Sequence, residues 1–287
     1  MASKKKDRWD ELCQLVAQND GLPTRDVGLW TEEKLWFWNR YVDIATSAMV
    51  GHPAWPRGLV YVDLFAGPGV CTIRDTNRRV PGSVLVAANA PKPFQRIIAC
   101  ELDAALADAC ARRLAASPAA GRFNVITGDC NERIHEIVRT IPDGALTLAF
   151  IDPPGLHAHF ETLRVLAAKG RVDLLILFAD AVDALRNVDT FEVQEDSRLD
   201  LVLGPESKWR ERREEMNKCN ADSLRRLLAS IYQDQLRSLG YTVFGERVMR
   251  FRNGPLYRLV FASKHERGLE FWDKVTRKDK GGQRGLF

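Results

Sequence analysis

The chain has 287 residues, of which 45% are hydrophobic and 28% charged. This length allows one large α/β domain with appended segments. Lysine and arginine number 42 against 38 aspartates and glutamates, so the net charge of +4 does not by itself indicate a polyanionic partner. No stretch approaches the roughly 18 apolar residues of a membrane span, and the N-terminus lacks the apolar run of a signal peptide. We therefore expect a cytoplasmic protein that does not enter the membrane.

The cysteines and histidines give no sign of a metal site. The six cysteines form no CxxC pair, and the five histidines show no HxxxH spacing. We expect free thiols in a reducing compartment. Positive charge is concentrated in short runs at 4–6, 210–213 and 277–280. Such runs are commonly solvated surface and less commonly a nucleic-acid interface.

Residues 1–58 are predicted to form a helical N-terminal extension. Thr31 can cap a helix whose first turn carries Glu32 and Glu33, and Gly51 ends the pattern. One face of this helix is aromatic and apolar, carrying Trp30, Trp36, Phe37, Tyr41, Ile44, Ala45 and Ala48. The stripe indicates core packing, with a roof over a ligand pocket as the alternative.

From residue 59 onward, short apolar runs alternate with helical stretches, which is typical of βαβ units and a parallel sheet. The runs are Leu59 to Phe65, Arg96 to Glu101, Phe123 to Thr127, Leu146 to Ile151 and Val172 to Phe178. Helices are predicted from near residue 83 and over 103–116, 131–139 and 159–169. This alternation predicts an α/β fold with a doubly wound, Rossmann-like sheet in a domain spanning 59–287.

A highly charged segment at about 180–222 interrupts the alternation and is predicted to be a helical insertion. A helix over 221–239 follows, and then two strand-like runs at 241–251 and 256–263, joined by the turn-rich residues 252–255. This ending is a closing antiparallel β-hairpin. Class I methyltransferases end their sheet in this way, whereas dinucleotide dehydrogenases normally continue with parallel strands.

A glycine-rich loop, Asp63-Leu64-Phe65-Ala66-Gly67-Pro68-Gly69, follows the first strand. Gly67 and Gly69 allow a ligand to approach the backbone, and Phe65 and Ala66 are predicted to bind the same ligand. A dinucleotide fingerprint would need Gly or Ala where Thr72 stands. The Asp63 carboxylate can face a cationic amino group, which suits the methionine part of S-adenosylmethionine better than a pyrophosphate.

Two further acids end the next strands. Glu101 is predicted to accept hydrogen bonds from a ribose diol, with Leu102 beside it. Asp129 is predicted to take an adenine amino group, with Cys130 beside it. Each acid alone is more commonly a cap or surface residue, but three at successive strand ends favour a ligand site. Asp103 is expected to cap the following helix.

The fourth strand ends in Asp152-Pro153-Pro154-Gly155. Consecutive prolines fix a turn without N–H donors, so the Asp152 carboxylate and the Pro153 carbonyl can orient a target amino group for in-line methyl transfer. The alternative is a stiff turn without catalytic function. His157, in the following loop, is a candidate base or target contact. Cys71 is interpreted as a pocket-wall residue.

These motifs resemble the three-Cys-motif partner protein family (TcmP), a set of class I methyltransferase-like proteins. The resemblance covers about residues 30 to 287. The segments that show the resemblance are 61–69, 82–83, 128–131, 150–155, and the C-terminal blocks 256–265, 271–275 and 282–284. It implies an S-adenosylmethionine cofactor and a companion protein bearing three cysteines.

The leading hypothesis is an S-adenosylmethionine-dependent methyltransferase acting on an amino nitrogen, with nucleic acid as the substrate class. Gly155 departs from the pattern of amino-directed enzymes, in which an aromatic residue stacks on a flipped base. Phe160 or an aromatic residue of the N-terminal helix is the candidate replacement. The alternatives are a non-catalytic nucleic-acid-binding or partner subunit, using the insertion and the basic tail, and a nicotinamide-dependent enzyme.

Overall fold

The computed structural model describes residues 8–216, 220–251 and 254–277. The first half of the chain contains α1 (Arg8–Leu15), β1 (Arg25–Val27), α2 (Trp30–Met49), β2 (Leu59–Asp63), β3 (Val70–Ile73), β4 (Arg78–Pro81), α3 (Ser83–Ala88), β5 (Arg96–Glu101), α4 (Ala104–Ala115), β6 (Phe123–Thr127) and α5 (Cys130–Arg139). The second half contains β7 (Leu146–Ile151), α6 (Phe160–Ala167), β8 (Val172–Phe178), a π-helix (Asp180–Ala184), α7 (Leu185–Val193), α8 (Arg198–Leu203), a short 3₁₀ helix (Pro205–Ser207), α9 (Trp209–Glu214), α10 (Ala221–Ser238), β9 (Val243–Phe251), β10 (Gly254–Ser263) and α11 (Glu266–Thr276).

Seven strands form the central sheet in the order β6-β5-β2-β7-β8-β10-β9. The first five are mutually parallel, and β10 runs antiparallel to both β8 and β9. The predicted doubly wound sheet and its closing hairpin are therefore confirmed. Strand β10 lies between β8 and β9 although it follows β9 in the chain. Of the predicted hairpin connection, 252–253 lie outside the described residues.

Alternating side chains of each central strand enter two separate cores. Tyr61 of β2 packs on the face covered by α2, whereas Val60 and Val62 pack on the opposite face. The aromatic stripe of α2 forms much of the first core. The ring of Trp38 stacks on Phe150 of β7 with centroids 4.8 Å apart. Core packing is therefore confirmed for Trp36, Phe37, Tyr41 and Ala45 of the stripe, whereas Ala48 is exposed and Trp30 lies at a cleft.

The N-terminal segment differs from the sequence expectation in two respects. Helix α2 begins at Trp30, and Leu29 occupies its N-cap without a side-chain hydrogen bond, so Thr31 is not the cap. Strand β1 pairs in parallel with β3, and β3 pairs with β4, forming a second sheet of three strands. Strands of three or four residues are too short to show a periodic pattern. Residues 1–58 are therefore not wholly helical.

The insertion is helical, as predicted, and its arginines pair within the protein. Arg210 is paired with Asp200. Arg213 bonds Asp189 at 2.5 Å and Glu192 at 2.8 Å. Most of the positive charge expected at 210–213 is thus balanced by neighbouring acids, which disfavours this run as an exposed basic surface.

A buried ion cluster joins the insertion to the sheet. Asp180, at the start of the π-helix, is fully buried and is bonded by Arg225 of α10 at 3.1 Å and Arg258 of β10 at 3.2 Å. Arg258 also bonds Glu246 of β9 at 2.5 Å. Since breaking one partner of a buried pair leaves an uncompensated charge, this cluster fixes the insertion against the closing hairpin.

Within the described ranges, no helix combines the length and apolar character that crossing a membrane requires. The runs at 4–6 and 278–280, Cys219, and the family-like block 282–284 fall outside the described residues.

Replacing the N-cap of α4 tests the local structure beside the sheet edge. Asp103 accepts hydrogen bonds from the backbone N–H groups of Ala105 at 2.8 Å and Leu106 at 2.9 Å, which confirms its expected role. Asp103→Ala is expected to lower the free energy of unfolding by about 1 kcal/mol in urea denaturation. Asp108→Ala, at an exposed position of the same helix, is the control and is expected to change it by less than about 0.5 kcal/mol. Equal losses in the two variants would contradict the capping role.

Candidate functional site

A cleft of about 290 Å³ opens at the carboxyl edge of the parallel strands. It lies where the loop after β2 meets the turn after β7, which is the point where the strand order reverses. Seven residues predicted from the sequence line it: Phe65, Ala66, Gly67, Cys71, Asp152, Pro153 and Pro154. Open α/β sheets bind ligands at this position.

The glycine loop is held in a conformation that favours glycine. Gly67 has φ +61° and Gly69 has φ +85°, both in the left-handed region. The N–H of Gly82 donates to the Gly69 carbonyl at 2.8 Å, and a Cβ on Gly82 would lie only 3.0 Å from that oxygen. The loop therefore packs directly against the start of α3, and Gly67 presents its backbone to the cleft.

Glu101 is fixed behind the glycine loop. Its side chain is 4% exposed and accepts hydrogen bonds from the N–H of Gly67 at 2.8 Å and of Asp103 at 3.1 Å. Arg25 of β1 also donates to both carboxylate oxygens at 3.2 Å. Arg25 was not predicted as a site residue, since nothing in the local sequence pattern distinguishes it. The pairing of β1 with β3 carries this arginine to the cleft.

Asp63 does not line the cleft. Its carboxylate is fully buried and accepts hydrogen bonds from the Tyr61 hydroxyl at 2.6 Å, the Ser83 hydroxyl at 2.5 Å and the N–H of Phe65 at 3.2 Å. Burial raises the pKa of Asp63 to about 6. In the structure this acid therefore faces protein donors, where the sequence analysis expected it to face a ligand amino group.

Asp152 faces the cleft and is paired with a lysine that the sequence analysis did not identify. Lys34 of α2 donates to Asp152 Oδ2 at 2.5 Å, and the two side chains are 8% and 20% exposed. Lys34 follows Trp30 by four residues, so the two share one helix face. A lysine on a largely buried helix face needs an acidic partner, and this feature of the sequence could have identified Lys34.

The remaining predicted residues lie outside the cleft. Leu102 is 69% exposed beside Glu101. Asp129 caps α5 by accepting the N–H of Asn131 at 2.8 Å, and Cys130 is buried in the core. His157 is tied to this region, because its carbonyl accepts the Asn131 side-chain amide at 2.9 Å. None of these four side chains meets Asp152 in the cleft.

Aromatic and thiol side chains complete the cleft wall. Trp30 and Tyr257 both line it, and the Lys34 ammonium lies 5.9 Å from the centroid of the Tyr257 ring. Burial raises the pKa of the Cys71 thiol to about 11, so at neutral pH this group is a neutral thiol. The interpretation of Cys71 as a pocket-wall residue is confirmed.

The strand order, the antiparallel closing hairpin and the glycine loop after the first parallel strand together define a class I methyltransferase-like fold. Glu101, at the end of the neighbouring strand β5, occupies the position of a ribose-binding acid in doubly wound sheets. Glu101 lies behind the cleft wall, because its carboxylate accepts the N–H of Gly67 and Gly67 lines the cleft.

No protein-family model matches this chain, and no curated protein matches its sequence. Among solved structures, it is similar to the O-methyltransferase from Bacillus cereus in complex with SAH, with 11% identity, a TM-score of 0.46, and coverage of 90% of this chain and 92% of that one. The O-methyltransferase TomG from Streptomyces achromogenes in complex with SAM gives 10% identity, a TM-score of 0.45, and coverage of 92% and 100%. M. jannaschii TYW2 in complex with AdoMet gives 11% identity, a TM-score of 0.43, and coverage of 82% of this chain and 76% of that one. The assignment of the fold rests on the strand order and not on these low scores.

The pH dependence of stability tests the environment of Asp63. Because its pKa is raised from 3.8 to about 6 in the folded protein, its stabilising contribution is complete below pH 3.8 and is lost as the pH rises through 6. Relative to Asp63→Asn, the wild type is expected to lose up to roughly 3 kcal/mol of unfolding free energy between pH 4 and pH 7. Urea denaturation of both proteins across this range measures the difference. A difference that stays constant with pH would show that Asp63 is not held in this way.

Proposed function

We propose that this protein is an S-adenosylmethionine-dependent methyltransferase. The observation that carries the proposal is the cleft at the point where the strand order reverses, walled by Gly67 on one side and the Asp152 turn on the other. The antiparallel β10, and Thr72 at the third position of the dinucleotide fingerprint, disfavour a nicotinamide-dependent enzyme.

Residues behind the glycine loop are proposed to hold the cofactor. The Glu101 carboxylate accepts hydrogen bonds from the ribose hydroxyls, and the backbone of Gly67 allows the ligand to approach closely. Exposed Leu102, with Asp129 and Cys130 at the start of α5, is proposed to bind the adenine end. When bound, S-adenosylmethionine supplies a methyl group on a sulfonium centre.

Residues of the β7 turn are proposed to bind the methyl acceptor. Lys34 bonds Oδ2 of Asp152, which leaves Oδ1 and the Pro153 carbonyl to accept hydrogen bonds from an amino group. Pro153 and Pro154 fix the turn, so these acceptors keep their direction. Holding the nitrogen in line with the methyl group is catalysis by positioning. A role for His157 stays a prediction.

Gly155 lies close to a carboxylate. A Cβ at Gly155 would lie 2.5 Å from Asp183 Oδ2, so a side chain at this position would displace the carboxylate that accepts the N–H of Leu156. Phe160 is buried away from the cleft against Gly204. Trp30 of α2 lines the cleft and is the aromatic group proposed to stack on a planar acceptor.

Nucleic acid is proposed as the substrate class on the grounds of the Asp-Pro-Pro turn and an aromatic residue in the cleft. The internal pairing of Arg210 and Arg213 does not favour the insertion as the surface that binds phosphates. A companion protein with three cysteines stays a prediction from the family resemblance.

Removing the Glu101 carboxylate tests cofactor binding. Glu101→Ala is expected to weaken S-adenosylhomocysteine binding by about 10- to 100-fold in isothermal titration calorimetry, because hydrogen bonds to a charged acceptor are lost. Glu136→Ala, at an exposed position of α5, is the matched control and should leave the affinity unchanged. Absence of binding by the wild-type protein at millimolar concentration would refute the proposed function.

Changing Asp152 separates acceptor binding from cofactor binding. Asp152→Asn keeps the size of the side chain but removes its charge, and it is expected to lower methyl transfer by about 100-fold or more. Transfer is measured with radiolabelled S-adenosylmethionine on single-stranded DNA and RNA. Affinity for S-adenosylhomocysteine should change by less than threefold. If wild type binds the cofactor but methylates neither nucleic acid, the substrate class is wrong while the cofactor assignment stands.

A further inference from the structure

A second cavity, of about 440 Å³, lies at the opposite edge of the sheet. It is formed where β7 and β8 begin, and its lining reaches Leu148 of β7. Four residues at about 3.3 Å each place Leu148 about 13 Å from Asp152 along the strand. Its volume is within the range of small-molecule sites, roughly 300 to 1,000 Å³.

The inner wall of this cavity is apolar. Ala45 and Met49 come from the C-terminal half of α2, Leu146 and Leu148 from β7, and Phe271 from α11. All five side chains are buried in the protein core around the cavity. Transfer of an apolar group into this space would release its hydration water, which is the main driving force for binding apolar molecules.

The rim of the cavity carries cationic side chains. Arg171, Lys264 and Arg267 all contribute to the lining, and Arg171 and Arg267 are exposed. Arg171 stacks on the Trp55 ring at 4.9 Å and donates to the Ala54 carbonyl at 3.0 Å. These contacts hold the arginine at the rim, and no acid within the described ranges forms an ion pair with it. His52 and His265 are the two histidines that line the same cavity.

The lining contains one acid, and that acid already has a protein partner. Asp173 Oδ1 accepts a hydrogen bond from the Ser263 hydroxyl at 2.7 Å. Three lysine and arginine residues therefore share the lining with a single carboxylate, and the Lys264 ammonium donates to the Ala167 carbonyl at 2.9 Å. The balance of charge favours an anionic group at the rim over a cationic one.

We propose that this cavity binds a small molecule with an apolar body and an anionic head group, such as a medium-chain carboxylate. The apolar body lies against Ala45, Met49 and Phe271, and the head group meets Arg171, Lys264 and Arg267. The site shares no residue with the Asp152 cleft. This inference is therefore independent of the proposed methyl transfer.

Titration calorimetry of the full chain with decanoate tests the proposal, with decyltrimethylammonium as the probe of opposite charge. Decanoate is expected to bind with a dissociation constant below about 1 mM, at least tenfold tighter than the cationic probe. Arg267→Glu reverses an exposed rim charge and should weaken decanoate binding by about fivefold or more. Arg139→Glu, at an exposed position of α5, is the matched control and should leave it unchanged.

A second variant tests the apolar wall. Ala45→Leu places added volume inside the cavity and should weaken decanoate binding by about tenfold, with thermal melting used to confirm that the variant folds. Lack of decanoate binding, or equally tight binding of decyltrimethylammonium, would overturn the proposal. Decanoate binding that is unaffected by Arg267→Glu would also overturn the proposal. This outcome does not depend on whether Ala45→Leu folds.

Discussion

The buried carboxylate of Asp63 is the constraint on which the cleft depends. Its three hydrogen bonds connect the end of β2, the first residues of the glycine loop and the start of α3. Because a buried carboxylate must be satisfied by donors, these three segments can adopt only a narrow range of relative positions. The Gly67 backbone is thereby held against Glu101, and the cleft wall is formed before any ligand binds. The role of Asp63 is thus to position the backbone that a cofactor would contact.

Charge in the cleft is arranged in two pairs that come from distant parts of the chain. Arg25 meets Glu101 across 76 residues, and Lys34 meets Asp152 across 118 residues. Each pair places a cation from the N-terminal segment over an acid at the end of a central strand. The N-terminal segment therefore belongs to the site, although its first helix and strand lie outside the central sheet. A ligand that donates hydrogen bonds to either carboxylate shares that carboxylate with a cation of the protein.

The sequence was sufficient to predict the five parallel strands, because each is a short apolar run. Strands β2, β7 and β8 are buried on both faces, whereas the edge strand β6 is only partly buried. The closing hairpin was predicted from two strand-like runs joined by turn residues. The cleft residues 65–67 and 152–154 were predicted because they follow the ends of parallel strands. Arg25 could not be predicted, since its role depends on a three-residue strand without periodicity. Asp63 was placed at the correct strand end, but its hydrogen bond to Ser83 requires a partner twenty residues away. Strand-end position thus identifies a region, and tertiary contacts decide which side chains face the cleft.

The position of β10 has a consequence for synthesis of the chain. This strand is made after β9, yet it lies between β8 and β9 in the finished sheet. Until residues 254–263 leave the ribosome, the hydrogen-bonding edge of β8 has no neighbour, and β9 has no strand to pair with. The β8 edge carries the buried run Leu174 to Phe178, and open hydrophobic edges promote aggregation. A nascent chain that ends before Gly254 therefore exposes the edge of β8 that β10 covers in the folded protein.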